Sequence, residues 1–227
     1  MKFIHNFFDL LFPNLCIVCK NHLFSNEKYL CLYCIENINF VPVSLGNNSL
    51  MEKQLYGRFL FKNVNALLYY EDHSITQQLL HQLKYKKQQD IGNLLAHWTY
   101  SRYKNHSIFK TVDGIIKVPI HAKRLKERGY NQLDSFTEKI SLDFKIPIYE
   151  NIVVRKLYSR SQTSKNRQGR NYQDNIFSIQ NSETLKGKHL LIIDDVITTG
   201  STIAQIANLL LEQENTQVSV FTFALTK

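Results

Sequence analysis

The chain reads as an α/β protein: a mostly parallel sheet flanked by helices, preceded by a small module built on four cysteines. Three observations predict this. From residue 57 onward, short and nearly continuous apolar runs alternate with stretches of helical periodicity, the pattern of a parallel sheet covered on both faces. A length of 227 residues with 44% hydrophobic and 21% charged residues fits one full-sized domain with a small appendage and excludes fibrous and disordered classes. Finally, Cys16, Cys19, Cys31 and Cys34 all lie ahead of that alternation.

Taken in order, Phe3, Phe7, Leu10 and Leu11 share one helical face and predict a short amphipathic helix. The same stretch makes a poor export signal, because Asn6, Asp9 and Pro13 interrupt its apolar residues and no small-residue cleavage site follows. The cysteines form two C-x2-C pairs with eleven residues between them. A spacing of two puts both sulfurs on one tight knuckle, and two knuckles supply the tetrahedral thiolate set that Zn²⁺ prefers, a closed and therefore structural site. Two disulfides or a redox pair are the competing readings, disfavoured by the poor export signal. His22, between the pairs, is expected at the surface rather than on the metal. The stretch from Glu36 to Lys53, with Pro42, Gly46, Asn47, Asn48 and Ser49, reads as a linker and sets the division near residue 50: 1–50 for helix, cysteine module and linker, 51–227 for the large domain.

Within the large domain, Gly57 to Tyr70 reads as extended, and His73 to Lys87 and Asp90 to Tyr103 as helices with Leu79, Leu80, Leu83, Ile91, Leu94, Leu95 and Trp98 inward. A strand follows at Val112 to Pro119, a helix at Asn131 to Leu142 and an extended piece at Ile148 to Val154. Leu157 to Asn175 is poor in apolar residues and reads as a long loop, of the kind that often serves as a lid. A strand at Lys188 to Asp194, a helix at Ser201 to Glu212 and a strand at Val218 to Leu225 complete the chain.

Charge narrows the function class. Lys plus Arg number 28 against 19 acids, a formal charge of +9, which favours an anionic partner. Three of the cations fall within Lys84 to Lys87, five within Lys117 to Arg128 and six within Arg155 to Arg170. No apolar run reaches the roughly 18 to 20 residues that span a bilayer; a soluble protein without a transmembrane segment is expected.

The most informative stretch is HLLIIDDVITTGSTIAQIANLLLE, residues 189–212. An apolar strand ends in Asp194 and Asp195, then a Thr/Gly turn enters a helix. Gly200 allows the tight turn that aims successive N–H groups at one anion. The helix amino terminus adds partial positive charge, and Thr198, Thr199, Ser201 and Thr202 offer hydroxyls to a terminal phosphate. The two acids suit sugar hydroxyls, or a Mg²⁺ carried by the ligand. A P-loop is excluded, since no G-x4-G-K-[ST] occurs.

This strand, acid pair and TTGST turn resemble the loop with which type I phosphoribosyltransferases grip phosphoribosyl pyrophosphate (PRPP). The resemblance extends along the chain. An LFP segment before the cysteine module, LHQLKYKKQQDIG at 80–92, VPIHAKRLKERGYNQ at 118–132 and RKLYSRSQTSKNRQGRNYQDNIFSI at 155–179 occur in the order seen in the ComF/ComFC family of bacterial competence proteins. That resemblance implies a type I phosphoribosyltransferase-like sheet behind an amino-terminal zinc module. It further implies a role in the uptake or processing of transforming single-stranded DNA, with PRPP as ligand. The partners it implies are single-stranded DNA, a competence helicase and recombination proteins. The expected place is the cytoplasm, with any membrane contact peripheral, at the inner face and through a partner.

Residue by residue, the resemblance assigns the 5-phosphate to Thr198, Thr199, Gly200, Ser201 and Thr202, and the ribose to Asp194 and Asp195. The turn at Pro119, Ile120 and His121 would face pyrophosphate with Lys123, Arg124 and Arg128 nearby, Arg128 being favoured because a guanidinium holds phosphate oxygens bidentately. Gln162, Thr163, Arg167, Arg170 and Asn171 are candidates to close over the site, while Lys84 and Tyr85 end a helix, and Asn131 is expected to start one. The cofactors implied are structural Zn²⁺ on the four cysteines and Mg²⁺ with PRPP. One departure matters: purine-salvage members of the fold carry an acid where this chain has Thr198, and a threonine takes up no proton near neutral pH. Three readings of the activity stay open: PRPP binding without turnover, transfer of ribose 5-phosphate to an amine or nucleobase with release of pyrophosphate, and a purely structural adaptor with a decayed pocket, which the retention of both acids and every turn residue disfavours.

Overall fold

A computed structural model of the chain describes residues 13–44, 46–85, 88–156 and 176–227. The expected amino-terminal helix, and the long basic loop with Arg167 and Arg170, lie outside the described residues.

The strands of the main sheet are β1 (Val64–Tyr70), β2 (Gly114–Lys117), β5 (His189–Ile197) and β6 (Gln217–Thr226), all parallel, in the order β1-β6-β5-β2. Their composition dictates this: β5 and β6 are buried along nearly their whole length, so side chains of both pleat directions need apolar cover. The cover comes from α3 (Ile75–Tyr85), α4 (Asp90–Tyr103), α7 (Asp134–Phe144) and α8 (Ser201–Leu211). Leu79, Leu80, Leu83, Ile91, Leu95, Phe136, Ile140, Ile203 and Ile206 face the core. α4 and α7 pack against each other. They meet at Gly92, where an added Cβ would lie 2.1 Å from Ser135 Oγ, so only glycine permits the approach. Among the described residues, no helix is long and apolar enough to cross a membrane.

Three elements differ from expectation, each for a physical reason. The stretch read as a linker is tied to the sheet. Val41 N–H donates to Leu67 O at 2.9 Å, Tyr69 N–H to Asn39 O at 2.8 Å and Asn48 N–H to Val64 O at 2.9 Å. β1 is the edge strand, and this segment satisfies backbone groups that would otherwise be exposed there. Asn48 then caps α2 (Ser49–Leu55), its side chain accepting from Leu50 N and Met51 N, and Met51 and Leu55 are buried. The Gly-Asn-Asn-Ser run is thus a helix cap as well as a turn, two uses that the same residues serve.

Second, a short exposed helix, α6 (Ala122–Arg128), follows β2 and buries none of its residues, so it carried no periodic apolar signal. Third, the extended piece after Ile148 does not continue into the main sheet. Ile148 makes one parallel bridge to Ile115, the chain turns at Asn151 with φ +58°, and β3 (Val153–Arg155) pairs antiparallel with β4 (Phe177–Ile179). This ladder brackets residues 157–175. The remaining described helices are short: α1 (Leu32–Glu36), α5 (Ser107–Lys110) and a 3-10 turn at Ser182–Leu185.

Candidate functional site

β5 and β2 end side by side, with Lys117 paired to Ile193 and Val118 N–H donating to Ile193 O at 3.0 Å. The turn after β2 and the turn after β5 therefore share the carboxyl edge of the sheet, where open α/β sheets bind ligands. β5 runs further than its apolar residues suggest, through Asp194 and Asp195 to Ile197. Its last pairings with β6, Val196 to Ala224 and Ile197 to Leu225, hold both acids in extended backbone.

The acids differ in environment. Asp194 is buried, and its Oδ1 accepts from Asp195 N–H at 2.8 Å. Burial above all, then the neighbouring Asp195 carboxylate, pushes the Asp194 carboxyl up, to about 8, against a smaller opposing pull from that N–H and from Lys84. Asp195 Oδ1 accepts from Val196 N–H at 2.6 Å, while its Oδ2 takes two side chains: Lys84 Nζ at 2.7 Å and Gln132 Nε2 at 2.9 Å.

Beyond Ile197 the chain turns through Thr198 and Thr199 to Gly200, which caps α8 at φ +72°. A Cβ on Gly200 would lie 2.6 Å from Leu55 Cδ2, so α2 packs directly under the turn and fixes its height. Thr198, Thr199 and Ser201 are exposed and Thr202 half-buried. Thr199 Oγ1 donates to Ser201 Oγ at 3.2 Å. The turn thus presents hydroxyls and a helix amino terminus to solvent, an arrangement suited to a terminal phosphate.

Across from it, Pro119, Ile120 and His121 link β2 to α6. His121 is exposed, and its Nδ1 accepts from Lys123 N–H at 3.1 Å, which makes it the cap of α6. Lys123 and Arg124 are exposed, and Lys123 reaches Glu127 at 4.0 Å. Arg128 is the cation that points inward: its Nη1 donates to Gln132 Oε1 at 2.8 Å, and its guanidinium lies 4.9 Å from the centre of the Tyr85 ring. Asn131 does not start α7, which begins at Asp134; it accepts from Leu133 N–H at 3.1 Å and donates to Val118 O at 3.1 Å, so it locks the turn after β2. Asp134 receives Lys117 at 2.7 Å, and Glu150 receives it at 3.0 Å, beside a cavity of about 250 Å³ that Pro119 and Ile120 also line.

Sequence reasoning left out Gln132, which bridges Arg128 to Asp195. It also missed Leu55 beneath Gly200, and left Lys84 at the end of a helix open between a surface lysine and a site residue. The signal available for Gln132 was its place in RGYNQ, but nothing local tells an amide that it will face a carboxylate sixty residues away.

The cysteines form a second cluster. Cys16 Sγ lies 3.7 Å from Cys34 Sγ and Cys19 Sγ 3.5 Å from Cys31 Sγ, and all four sulfurs lie within 4.8 Å of one another. A Zn²⁺ with Zn–S bonds of about 2.3 Å sets tetrahedral sulfurs about 3.8 Å apart, so the donor set fits a tetrahedral thiolate metal. Burial and the three neighbouring thiols push the Cys34 thiol far up, the conflict that a divalent cation at the centre relieves. His22 is exposed and outside the cluster. The cysteine module meets the sheet domain along α3, where Gln82 Nε2 donates to Ile17 O at 3.3 Å. A cleft of about 520 Å³ lies there, lined by Ile17, Val18, Lys20, His81, Lys84 and Tyr85 among others.

Comparison with known proteins gives a match to a phosphoribosyl transferase domain over residues 135–226. Competence protein F of Haemophilus influenzae is 31% identical over 219 residues, 90% of this chain and 92% of that protein. The DNA utilization protein YhgH of Shigella flexneri is 31% identical over 153 residues, 65% of this chain and 66% of that one. Competence protein ComFC of Streptococcus pneumoniae is 30% identical over 131 residues, 57% of this chain and 56% of that protein.

Proposed function

The chain belongs to the competence protein F family and carries a phosphoribosyl transferase domain, and from that premise we propose that it binds Mg²⁺-PRPP at the carboxyl edge of β5 in the service of handling transforming single-stranded DNA. One observation carries the ligand: two acids on β5, one of them buried, followed at once by the Gly200 turn with its exposed hydroxyls at the start of α8. In this reading Thr198, Thr199, Ser201 and Thr202, with the Gly200 turn, hold the 5-phosphate, and Asp194 and Asp195 take the ribose hydroxyls. Arg128, Arg124 and the turn at Pro119 and His121 face the pyrophosphate, with Arg167 and Arg170 assigned to closure. Mg²⁺, carried by the ligand, would offset charge on the pyrophosphate oxygens.

The division near residue 50, with a structural Zn²⁺ on Cys16, Cys19, Cys31 and Cys34 in the first unit, belongs to the same reading. So do single-stranded DNA, a competence helicase and recombination proteins as partners, and a cytoplasmic place. The names of the relatives support the DNA role, and the +9 charge suits a polyanion. Transfer to an acceptor is the second reading, favoured by the paired acids and by the arginine directed into the site. Thr198 at the turn gives no general base, so the acceptor for such a reaction is a neutral amine that needs none.

Titration calorimetry of Mg²⁺-PRPP into the metal-loaded protein tests the ligand. Binding is expected in the wild type and is expected to fall at least roughly ten-fold in the Asp194→Asn, Asp195→Asn double variant, the charge-assisted contact of Asp195 having been removed. Absence of binding in the wild type would overturn the reading. Pyrophosphate release with an amine panel then separates transfer from binding alone.

A further inference from the structure

Asp195, one of the two acids assigned to the ribose, is held by the protein itself. Lys84 Nζ sits 2.7 Å from Asp195 Oδ2, with the lysine side chain 24% and the aspartate 14% exposed. Gln132 takes the same oxygen at 2.9 Å, and Arg128 is bound to Gln132 and stacked on Tyr85, the residue next to Lys84. α3, α6, the turn before α7 and β5 thus meet in one polar chain. A ligand whose hydroxyls claim Asp195 must first take it from Lys84, and a half-buried ammonium deprived of its carboxylate is costly unless another anion replaces it.

We propose that Lys84 is a specificity-determining residue that selects ligands carrying a second anionic group, a diphosphate, close to the ribose hydroxyls. The inference rests on the phosphoribosyl reading above. In the free protein Lys84 neutralises Asp195. When a sugar diol takes that carboxylate, Lys84 is released beside Arg128, which lies over the neighbouring Tyr85 ring and is bonded to Gln132, and a diphosphate held by Arg128 becomes its new partner. A ligand with the sugar and 5-phosphate alone displaces Lys84 and offers it nothing. The exchange therefore favours the diphosphorylated donor over the monophosphorylated sugar left once pyrophosphate has gone. Arg128 follows the same logic at one remove, since the Gln132 amide that positions it is the amide bonded to Asp195.

The test compares PRPP and ribose 5-phosphate, both with Mg²⁺, on the wild type, Lys84→Met and Lys84→Arg. The two ligands are expected to move in opposite directions in Lys84→Met. PRPP weakens roughly ten-fold for loss of one charge-assisted contact, while ribose 5-phosphate tightens several-fold because Asp195 no longer has to be freed. Lys84→Arg keeps the wild-type preference. If both ligands weaken together, or neither changes, Lys84 is only a structural part and the proposal falls. A measurement on the wild type alone covers the case of a variant that does not fold: saturating ribose 5-phosphate is expected to tighten inorganic pyrophosphate several-fold, and the reverse by the same factor. Independence of the two would also overturn the proposal. Should wild-type protein take up none of these ligands, the phosphoribosyl reading itself fails, a result visible before any variant is made.

Discussion

At the scale of single residues, the pair Asp194 and Asp195 shows how adjacent identical side chains acquire different work. Asp194 is buried, whereas Asp195 is half-buried and within reach of Lys84 and Gln132. The buried one carries a stability signature. The folded protein holds the Asp194 proton up to about pH 8, whereas an unfolded aspartate releases it near 3.8. The folded state therefore binds the proton more tightly, and this residue costs stability progressively as pH rises from about 4 to about 8. Asparagine cannot ionise, and its Oδ1 still accepts from Asp195 N–H. Thermal melts should show Asp194→Asn and wild type differing little near pH 4, with the variant ahead by on the order of 1 to 3 kcal/mol at pH 8. An advantage that is the same at both pH values would remove the case for a perturbed carboxyl. At the same scale the sequence showed the acid pair, the hydroxyls and Gly200, because each is defined by its own chemistry within nine residues. It could not show that Lys84 and Gln132 converge on Asp195, since those contacts depend on where two distant helices end.

At the scale of elements, the helices and strands with a strong period were legible: α3, α4, α7, α8, β1, β2, β5 and β6 all fall within their expected stretches, save for small shifts at their ends. What was missed has no period to read. α6 buries none of its residues, and α2 lies in a run whose Gly, Asn and Ser signal a turn. Among the described residues of the cysteine module, Leu30 is the buried side chain besides Cys16, Cys31 and Cys34, so the module's folding should be coupled to the metal. Hydrogen exchange before and after a strong chelator should show protection lost around Cys16 to Cys34 and kept in β5 and β6, and the metal released should be one Zn²⁺ per chain on elemental analysis. Unchanged protection in the module would show that the thiols hold no structural ion. If β5 and β6 lost protection as well, the division near residue 50 would not stand.

At the scale of the whole molecule, the charge of +9 is the property that speaks of a polyanion. If the protein holds single-stranded DNA through its basic side chains, affinity must fall steeply as salt rises, with a log–log slope of about −0.7 for each phosphate neutralised. Fluorescence anisotropy between 50 and 200 mM salt should therefore show a loss of roughly ten-fold or more for three or more contacts. A slope near zero, or no binding at low salt, would leave DNA handling to the partners. The same experiment with PRPP present asks whether both anions use one surface.

The sequence by itself determined the α/β class, the two cysteine pairs, the acid pair and Thr-Gly turn of β5, and the family, because each is written in short-range pattern: alternation, a spacing of two, an acid pair before Thr-Thr-Gly. The tertiary structure alone decided which residues share a site. It laid the supposed linker along the free edge of β1, set Leu55 under Gly200 and brought Lys84 and Gln132 to one oxygen of Asp195. Those placements follow from backbone groups that must be paired at a sheet edge, and from a half-buried lysine that must find a carboxylate. Both demands are met by whatever the fold brings near, and the intervening sequence has no means of announcing it.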